Sequence, residues 1–244
     1  MNAVRVSALR KAFGAHVVLD GLDLTLARGE RIAILGASGC GKSTLLRCLA
    51  GLEPIDGGTV ETSGETGVVF QEPRLFPWLD VRKNVAFAAR TDAERARVDV
   101  ALDLVGLRAA EHRLPKQLSC GMAQRTALAR SLVRDPALLL LDEPFAALDA
   151  LLRIDLRAAV RGVLDRTGAA SILVTHDVDD ALALAERVIV LAGSPAKVVF
   201  TGRVGEDATR ETILAALGVS GTVAMVRQAH HDKSGALRLR TVTA

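Results

Sequence analysis

The sequence lacks long apolar runs. The longest candidates are Val188–Ala192 and Ala137–Leu141, far short of the roughly 18–20 residues that a membrane span needs. Residues 1–12 contain no apolar segment of signal-peptide length. Proline is also sparse, at 7 of 244 positions, glycine occurs at 21, and 50% of the residues are apolar. This composition excludes collagen, a disordered chain and a small disulfide scaffold, and it predicts a soluble, cytosolic protein with one sizeable core.

The cysteines are few, and their spacing suits neither a disulfide framework nor a metal site. There are three, Cys40, Cys48 and Cys120, so they cannot all pair within the chain. They do not form the close pairs that bind zinc, and His230 and His231 are interpreted as solvated polar residues. We therefore expect free thiols in a reducing compartment.

The net charge is small, and its excess lies at one end of the chain. Lys and Arg number 31 against 28 Asp and Glu, and residues 227–244 hold four basic residues against one acidic residue. Residues 1–226 therefore balance at 27 against 27. Nucleic-acid binding usually requires a basic patch on the fold, so we expect no nucleic-acid partner. Residues 221–244 are predicted to be a basic, poorly ordered tail.

The pattern of apolar residues predicts a mixed α/β fold. In the first sixty residues Leu22, Leu24 and Leu26 alternate with polar residues, which is typical of an antiparallel sheet. Candidate strands of a second, mostly parallel sheet are 31–35, 67–70, 138–141, 171–174 and 188–191, and candidate helices are 42–50, 81–88, 93–105 and 123–133. The segment 77–134 has no convincing strand, so we interpret it as a helical lobe inserted into the α/β core.

The strongest signal is a glycine-rich segment between a predicted strand and a predicted helix. It reads Gly36, Ala37, Ser38, Gly39, Cys40, Gly41, Lys42, Ser43, and matches the phosphate-loop pattern G-x-x-x-x-G-K-[ST]. Glycines let backbone N–H groups converge on phosphate oxygens, and the helix N-terminus adds positive potential. We expect Lys42 to contact the β- and γ-phosphates, Ser43 to offer its hydroxyl to Mg²⁺, and Thr44 to join the nucleotide-binding residues. A glycine turn before a helix would leave Lys42 and Ser43 unexplained.

Polar residues follow three other predicted strands. Asp142 and Glu143 end one of them, and because buried charge needs compensation, we expect Asp142 to hold Mg²⁺ through water and Glu143 to orient or deprotonate the attacking water. Helix capping is the alternative for this pair. His176 is expected to contact the γ-phosphate, with a polar surface group as the alternative. Gln71 follows a strand in the same way but is uninformative alone.

Together these motifs resemble the ATP-binding subunits of ABC transporters, over residues 3–218. The shared set is residues 36–43, Gln71, 118–122, 138–143, Asp149 and His176. The resemblance implies a P-loop ATPase core with an N-terminal antiparallel β subdomain and an inserted α-helical subdomain. It places an ATPase domain at 1–220, with a RecA-like core at 1–76 and 135–220 and a helical lobe at 77–134.

The resemblance also implies a dimer of two copies with ATP between them. Ser119 and Gly121 would bind the γ-phosphate held by the other copy, and Asp149 would couple the two sites. Gln71 would sense Mg²⁺ and the membrane partner. Phe13 falls where the family stacks an aromatic ring on adenine, although a core phenylalanine is the alternative.

The segment 70–78 and Met122 narrow the resemblance to importers of nitrate, sulfonate and taurine, with sulfonate the preferred solute. Such a subunit would sit at the cytoplasmic face of the membrane on permease subunits, with an external solute-binding protein in the full system. Trp78 and its apolar neighbours would line the groove for a permease helix. For Phe76 a place in the core of the helical lobe is an equal alternative.

One residue departs from the family pattern. Cys120 stands where the signature Leu-Ser-Gly-Gly has its first glycine. If that backbone needed a positive φ or a close approach to phosphate, a side chain there would cost about 1 kcal/mol or more, and a regulatory or degenerate ATPase would be the alternative function. An ABC ATPase acting on nucleic acid is a further alternative, but the zinc modules, coiled coils and paired cassettes of that class are missing from the sequence.

Overall fold

The computed structural model describes residues 2–146 and 148–219, and the predicted tail at 221–244 lies outside them. The strands in this part are β1 (Asn2–Phe13), β2 (His16–Ala27), β3 (Arg31–Gly36), β4 (Gly57–Thr62), β5 (Thr66–Val69), β6 (Leu138–Asp142), β7 (Ala170–Val174), β8 (Arg187–Ala192) and β9 (Lys197–Arg203). The α-helices are α1 (Lys42–Leu49), α2 (Val81–Ala86), α3 (Asp92–Ala96), α4 (Val98–Leu104), α5 (Cys120–Leu132), α6 (Ala150–Thr167), α7 (Val178–Leu184) and α8 (Arg210–Ala216).

The first sheet is antiparallel and has the order β2-β1-β4. Val4 pairs with Leu26 and Val6 with Leu24, so apolar residues of the two long strands share a face. Leu22, Leu24 and Leu26 are all buried. The antiparallel sheet predicted from their alternation is confirmed.

The second sheet has the order β5-β6-β7-β3-β8-β9 and is parallel except for β9, which pairs antiparallel with β8. Successive residues face two apolar clusters: Ala33 and Leu35 join one, and Ile32 and Ile34 join the other. A parallel sheet covered on both faces needs such continuous apolar strands. The five predicted strands are confirmed, whereas the edge strand β9 was not predicted.

This strand order brings three loops to one edge. Because β6, β7 and β3 are neighbours and parallel, their carboxyl ends lie side by side. The phosphate loop follows β3, Glu143 follows β6, and His176 follows β7. In open α/β sheets this is where ligands bind.

The segment between β5 and β6 contains helices α2–α5 and no strand among its described residues. Asp80 caps α2 by accepting a hydrogen bond from the Lys83 amide. The single helix expected at 93–105 is two helices that meet at Arg97. Helix α5 starts at Cys120 instead of residue 123, because the Ser119 hydroxyl accepts the Met122 amide and caps the helix there.

No helix among the described residues combines the length and hydrophobicity that crossing a membrane requires.

Candidate active site

The phosphate loop, residues 36–43, is a close-packed turn between β3 and α1. A Cβ on Gly36 would lie 2.4 Å from a carbonyl oxygen of β8. Gly41 has a φ of 105°, and a Cβ there would lie 2.8 Å from the Val18 side chain. These positions exclude larger residues because the backbone itself is packed against β2 and β8.

Lys42 is buried at the start of α1, with its ammonium inside the loop. The Nζ donates to the carbonyls of Gly36, at 2.8 Å, and Ala37, at 2.9 Å. Ala37, Ser38 and Gly39 are exposed, whereas Cys40 is buried beneath them. The loop therefore presents backbone on its outer side and a cation within.

Ser43 and Asp142 meet across 99 positions of the chain. The Ser43 hydroxyl donates to Asp142 Oδ1 at 2.8 Å. Asp142 is buried, which raises the pKa of its carboxyl, while the hydrogen bond from Ser43 acts in the opposite direction. Thr44, next in α1, is half-buried. A hydroxyl and a carboxylate oxygen in contact are hard oxygen ligands of the kind that Mg²⁺ takes from proteins.

A cation at this pair would find few further acidic, imidazole or thiol ligands among the described residues. No group of three or more His, Cys, Asp and Glu side chains arranged to hold a metal occurs among residues 2–146 and 148–219. Mg²⁺ is typically held by one or two protein oxygens together with water and substrate phosphates. The residues present therefore fit Mg²⁺ that arrives with a nucleotide.

Glu143 and His176 face each other at the sheet edge. Glu143 Oε2 lies 3.1 Å from His176 Nδ1, and His176 is the more exposed of the two. Glu143 has a φ of 45°, a left-handed conformation that costs a non-glycine residue free energy and is common at functional sites. Neither Asp142 nor Glu143 caps the next helix, because Asp149 caps α6. The capping alternative is wrong.

The Gln71 segment is held by a residue that sequence reasoning missed. Gln124, buried in α5, donates from Nε2 to the carbonyl of Gln71 at 2.6 Å and to that of Pro144 at 3.2 Å. The Gln71 side chain itself is exposed. Arg130, also on α5, donates to two further carbonyls of this segment. One amide within an apolar helix gives no sequence signal, which is why Gln124 was not predicted.

Helices α6 and α7 are joined by two ion pairs that were also missed. Arg153 pairs with Asp177, the residue after His176, and Arg157 pairs with Asp180. The arginines are four positions apart and the aspartates three, so both pairs lie along one face of each helix. This spacing is readable in the sequence. The pairs connect the helix that begins after Asp149 with the segment that carries His176.

Ser119, Cys120, Gly121 and Asp149 form what we call the helix-start surface. Ser119, Cys120 and Asp149 are exposed, and the hydroxyl of Ser119 and the carboxylate of Asp149 each cap their own helix. A Cβ on Gly121 would touch Leu152 at 3.5 Å, so the starts of α5 and α6 adjoin. Within the described residues, this surface makes no hydrogen bond to the phosphate loop.

The expected strain at Cys120 is absent. Cys120 is the first residue of α5 and does not occur among the described non-glycine residues with positive φ, which are Ala8, Arg74, Asp135 and Glu143. Its thiol is exposed, in contrast to the buried Cys40 and Cys48. A penalty from a positive φ at Cys120, one of the two grounds for a degenerate ATPase, is therefore wrong.

Phe13 and the aromatic residues of the 76–87 region are surface features. Phe13 is 48% exposed at the end of β1, so the core alternative is wrong. Phe76 is half-buried, and its ring centroid lies 4.4 Å from that of Phe87 and 5.7 Å from that of Trp78. Trp78 and Phe87 are 72% and 63% exposed, and Phe87 was not predicted. We call these three residues the aromatic surface.

Comparison with known proteins finds relatives of the chain in one family. The family model described as ABC transporter matches residues 19–146. An aliphatic sulfonates import ATP-binding protein SsuB 2 from Frankia alni is 57% identical over 191 residues, covering 78% of this chain and 78% of the relative. An aliphatic sulfonates import ATP-binding protein SsuB 3 from Paraburkholderia xenovorans is 49% identical over 218 residues, covering 89% of this chain and 88% of the relative.

Two solved structures share the fold. The ATP-binding cassette MJ0796, a dimer in a post-hydrolysis state bound to ADP and Pi, matches with a TM-score of 0.72 and 26% identity, covering 82% of this chain and 98% of its own. The cbiO1 protein from Clostridium perfringens, part of the transporter complex cbiONQ, matches with a TM-score of 0.76 and 27% identity, covering 89% of this chain and 95% of its own.

Proposed function

The chain belongs to the ABC transporter family, and on that premise we propose that it hydrolyses ATP to drive import of an aliphatic sulfonate. The contact that carries the catalytic part of the proposal is the hydrogen bond between Ser43 and Asp142 at 2.8 Å, beside the ammonium of Lys42. The choice of solute is supported by the relatives, which are named as aliphatic sulfonate importers. Taurine and nitrate are the competing solutes.

In this proposal the phosphate loop binds the phosphates of ATP through its backbone amides and Lys42. Ser43 and Asp142 hold Mg²⁺, directly and through water, with Gln71 as a third contact. The metal ion supplies neutralisation of phosphate charge when bound. Asp142 is buried next to a hydroxyl and lacks a salt-bridge partner among the described residues, which is consistent with a carboxylate that awaits a cation.

Glu143 is assigned as the group that orients or deprotonates the attacking water. His176 contacts the γ-phosphate and steadies the Glu143 carboxylate across their 3.1 Å contact. Both side chains follow parallel neighbouring strands, so the rigid sheet fixes their separation. The Glu143 amide donates to the Val174 carbonyl at 2.9 Å, which ties the two loops together.

The second half of the site is assigned to another copy of the chain. Ser119 and Gly121 offer the N-terminus of α5, a helix of 13 residues, to the γ-phosphate held by the partner. Asp149 couples the two sites at the start of α6. The dimer of the similar ATP-binding cassette MJ0796, bound to ADP and Pi, supports this assignment.

The aromatic surface is assigned to the permease, with a solute-binding protein completing the system outside the membrane. Three aromatic rings in contact, two of them mostly exposed, form an apolar patch that suits a helix from another protein. Buried Asn84 donates to the carbonyls of Phe76 and Leu79 and so fixes the loop that carries Trp78. The subunit would thus work at the cytoplasmic face of the membrane, attached through the permease.

Growth complementation tests the proposal. A strain with the gene disrupted is grown with an aliphatic sulfonate or taurine as sole sulfur source, or with nitrate as sole nitrogen source. We expect the disrupted strain to fail on the sulfonate and to grow on taurine and on nitrate. The intact gene should restore growth on the sulfonate, and the Glu143→Gln gene should not. Normal growth of the disrupted strain on the sulfonate, with failure on taurine or nitrate, would overturn the choice of solute.

A double variant tests the assignment of the aromatic surface to the permease. Trp78→Ala with Phe87→Ala should keep the ATPase activity of the purified chain and fail to restore growth, because only docking is removed. Leu52→Ala, which changes a leucine that is 57% exposed elsewhere, is the matched control and should restore growth. Full restoration by the double variant would contradict the assignment of the aromatic surface.

A further inference from the structure

Lys11 is a buried lysine outside the catalytic machinery. It lies on β1 and is 4% exposed. Its ammonium is 2.9 Å from Glu53 and 3.9 Å from Asp56. These carboxylates explain how the charge is tolerated, and the Glu53 contact raises the pKa of Lys11. They do not explain why a lysine is used, since an apolar residue is often as stable at such a position.

The same ammonium also contacts an aromatic ring. Lys11 Nζ lies 4.9 Å from the centroid of the Phe13 ring. The two residues are two positions apart on one strand, so their side chains project from the same face of the sheet. A cation over the ring is attracted to its π-face and restricts the ring to that orientation. Phe13 is 48% exposed, so the protein encloses its ring only in part.

The anchor of Lys11 is tied to the helix of the phosphate loop. The Glu53 amide donates to the Arg47 carbonyl on α1 at 3.3 Å. Asp56 accepts from the amide of Ala12, next to Phe13, at 2.6 Å. The segment after α1 thus connects the phosphate-loop helix with the end of β1. The end of β1, which carries Phe13, is therefore tied to the helix that follows the phosphate loop.

We propose that Lys11 is a positioning residue for the base of ATP. By its contact with one face of the Phe13 ring, it holds the ring so that the other face receives the adenine. The proposal rests on the proposed ATPase function and on the expectation, from the family resemblance, that Phe13 stacks on adenine. It adds that a cation, anchored by the segment after α1, determines how well the base is bound.

Two ligands distinguish binding of the base of ATP from binding of its phosphates. ATP and inorganic tripolyphosphate share the phosphate chain, and only ATP has a base. Binding of each with Mg²⁺ is measured by calorimetry on the full chain carrying Glu143→Gln, which prevents turnover. Lys11→Met keeps much of the side-chain stem and removes the charge. We expect it to weaken ATP binding by about 3- to 30-fold and to leave tripolyphosphate binding unchanged.

Conservative and neighbouring variants serve as controls. Lys11→Arg should bind ATP within about twofold of the parent, because arginine also makes cation–π contacts. Arg10→Met changes an exposed neighbour on the opposite face and should alter neither ligand. With Glu143 intact, Lys11→Met should raise KM for ATP and leave kcat unchanged, which general loss of structure would not do.

Phe13→Ala distinguishes failure of this inference from failure of the Phe13 assignment. If Phe13→Ala leaves ATP binding unchanged, the adenine assignment is wrong and the role of Lys11 falls with it. If Phe13→Ala weakens ATP binding selectively and Lys11→Met does not, the inference about Lys11 alone is overturned. Equal weakening of both ligands by Lys11→Met would also overturn it. Should Lys11→Met not fold, Glu53→Gln must show the same selective loss of ATP.

Discussion

The sheet edge and the helix-start surface carry equally specific motifs but are built in different ways. At the edge the functional side chains contact one another: Ser43 donates to Asp142, and Glu143 lies beside His176. At the helix starts, Ser119 and Asp149 are exposed, and within the part of the chain that the structure describes their side chains bond only to amides of their own helices. One region is complete within the chain, whereas the other offers groups to something outside it.

The difference has an energetic side. Buried Asp142 costs free energy in the folded chain until a cation compensates its charge, so the edge is held ready at the expense of stability. The caps at Ser119 and Asp149 stabilise their helices by about 1 kcal/mol each. The proposed metal-binding carboxylate at the edge therefore lowers the stability of the empty chain, whereas the proposed partner-facing residues at the helix starts raise it.

The largest effect is expected from Glu143→Gln at the edge. Removal of the base should lower ATP turnover by about 10²- to 10⁴-fold and keep ATP binding, because the amide preserves size and hydrogen bonding. Phosphate release and nucleotide titration measure the two properties. Glu206→Gln, an exposed substitution, is the control. Normal turnover in Glu143→Gln would show that the role is misassigned.

Alkylation of Cys120 should block the helix-start surface and leave the sheet edge unchanged. Cys120 is the exposed cysteine, and Cys40 and Cys48 are buried, so a bulky maleimide should react first at Cys120. Most ATPase activity should be lost, because the adduct blocks approach of the partner copy, and ATP should protect. Mass spectrometry identifies the modified thiol, and Cys120→Ser is the control. Unchanged turnover after complete labelling would contradict this prediction.

The cost of burying Asp142 should appear as a pH dependence of stability. Because burial raises the pKa of Asp142, the folded chain retains a proton that the unfolded chain has lost, and stability falls as pH rises above about 3.9. Without nucleotide, Asp142→Asn should therefore raise Tm at neutral pH by about 2–4 °C, or about 1 kcal/mol. The gain should vanish near pH 4.

Thermal unfolding from pH 4 to pH 8 measures this effect. Asp155→Asn, an exposed change on α6, is the control and should show no such gain. A lower Tm for Asp142→Asn at neutral pH would mean that Asp142 stabilises the empty site. That result would contradict the claim that the sheet edge lowers stability while the helix-start caps raise it.

The smallest effect is expected from Cys120→Gly. Since Cys120 has an ordinary helical backbone at the first position of α5, restoring the family glycine should change turnover by less than about twofold. Steady-state ATPase assays on the two proteins are sufficient. A large gain in turnover would revive the regulatory alternative, in which Cys120 weakens the signature loop.

The sequence was sufficient wherever one local rule decides the structure. The glycine turn between β3 and α1, the buried strands and the cap at Asp80 each depend on residues within a few positions, and each was predicted correctly. Gln124 and Arg153 bond to partners 20 or more positions away along the chain. A pattern of neighbouring residues therefore could not predict the role of Gln124. The start of α5 was misplaced because the Ser119 cap was not recognised. The division into lobes at 77 and 134 stays a prediction.

The most direct test of the account is the oligomeric mass of the Glu143→Gln protein, measured by light scattering with and without ATP and Mg²⁺. If the helix-start surface is completed by a second copy, the mass should be 25.7 kDa without nucleotide and twice that value with it. Alkylation of Cys120 should prevent this increase in mass on addition of ATP. A protein that binds ATP at the sheet edge and stays monomeric at every ATP concentration would contradict the claim that the helix-start surface serves a second copy.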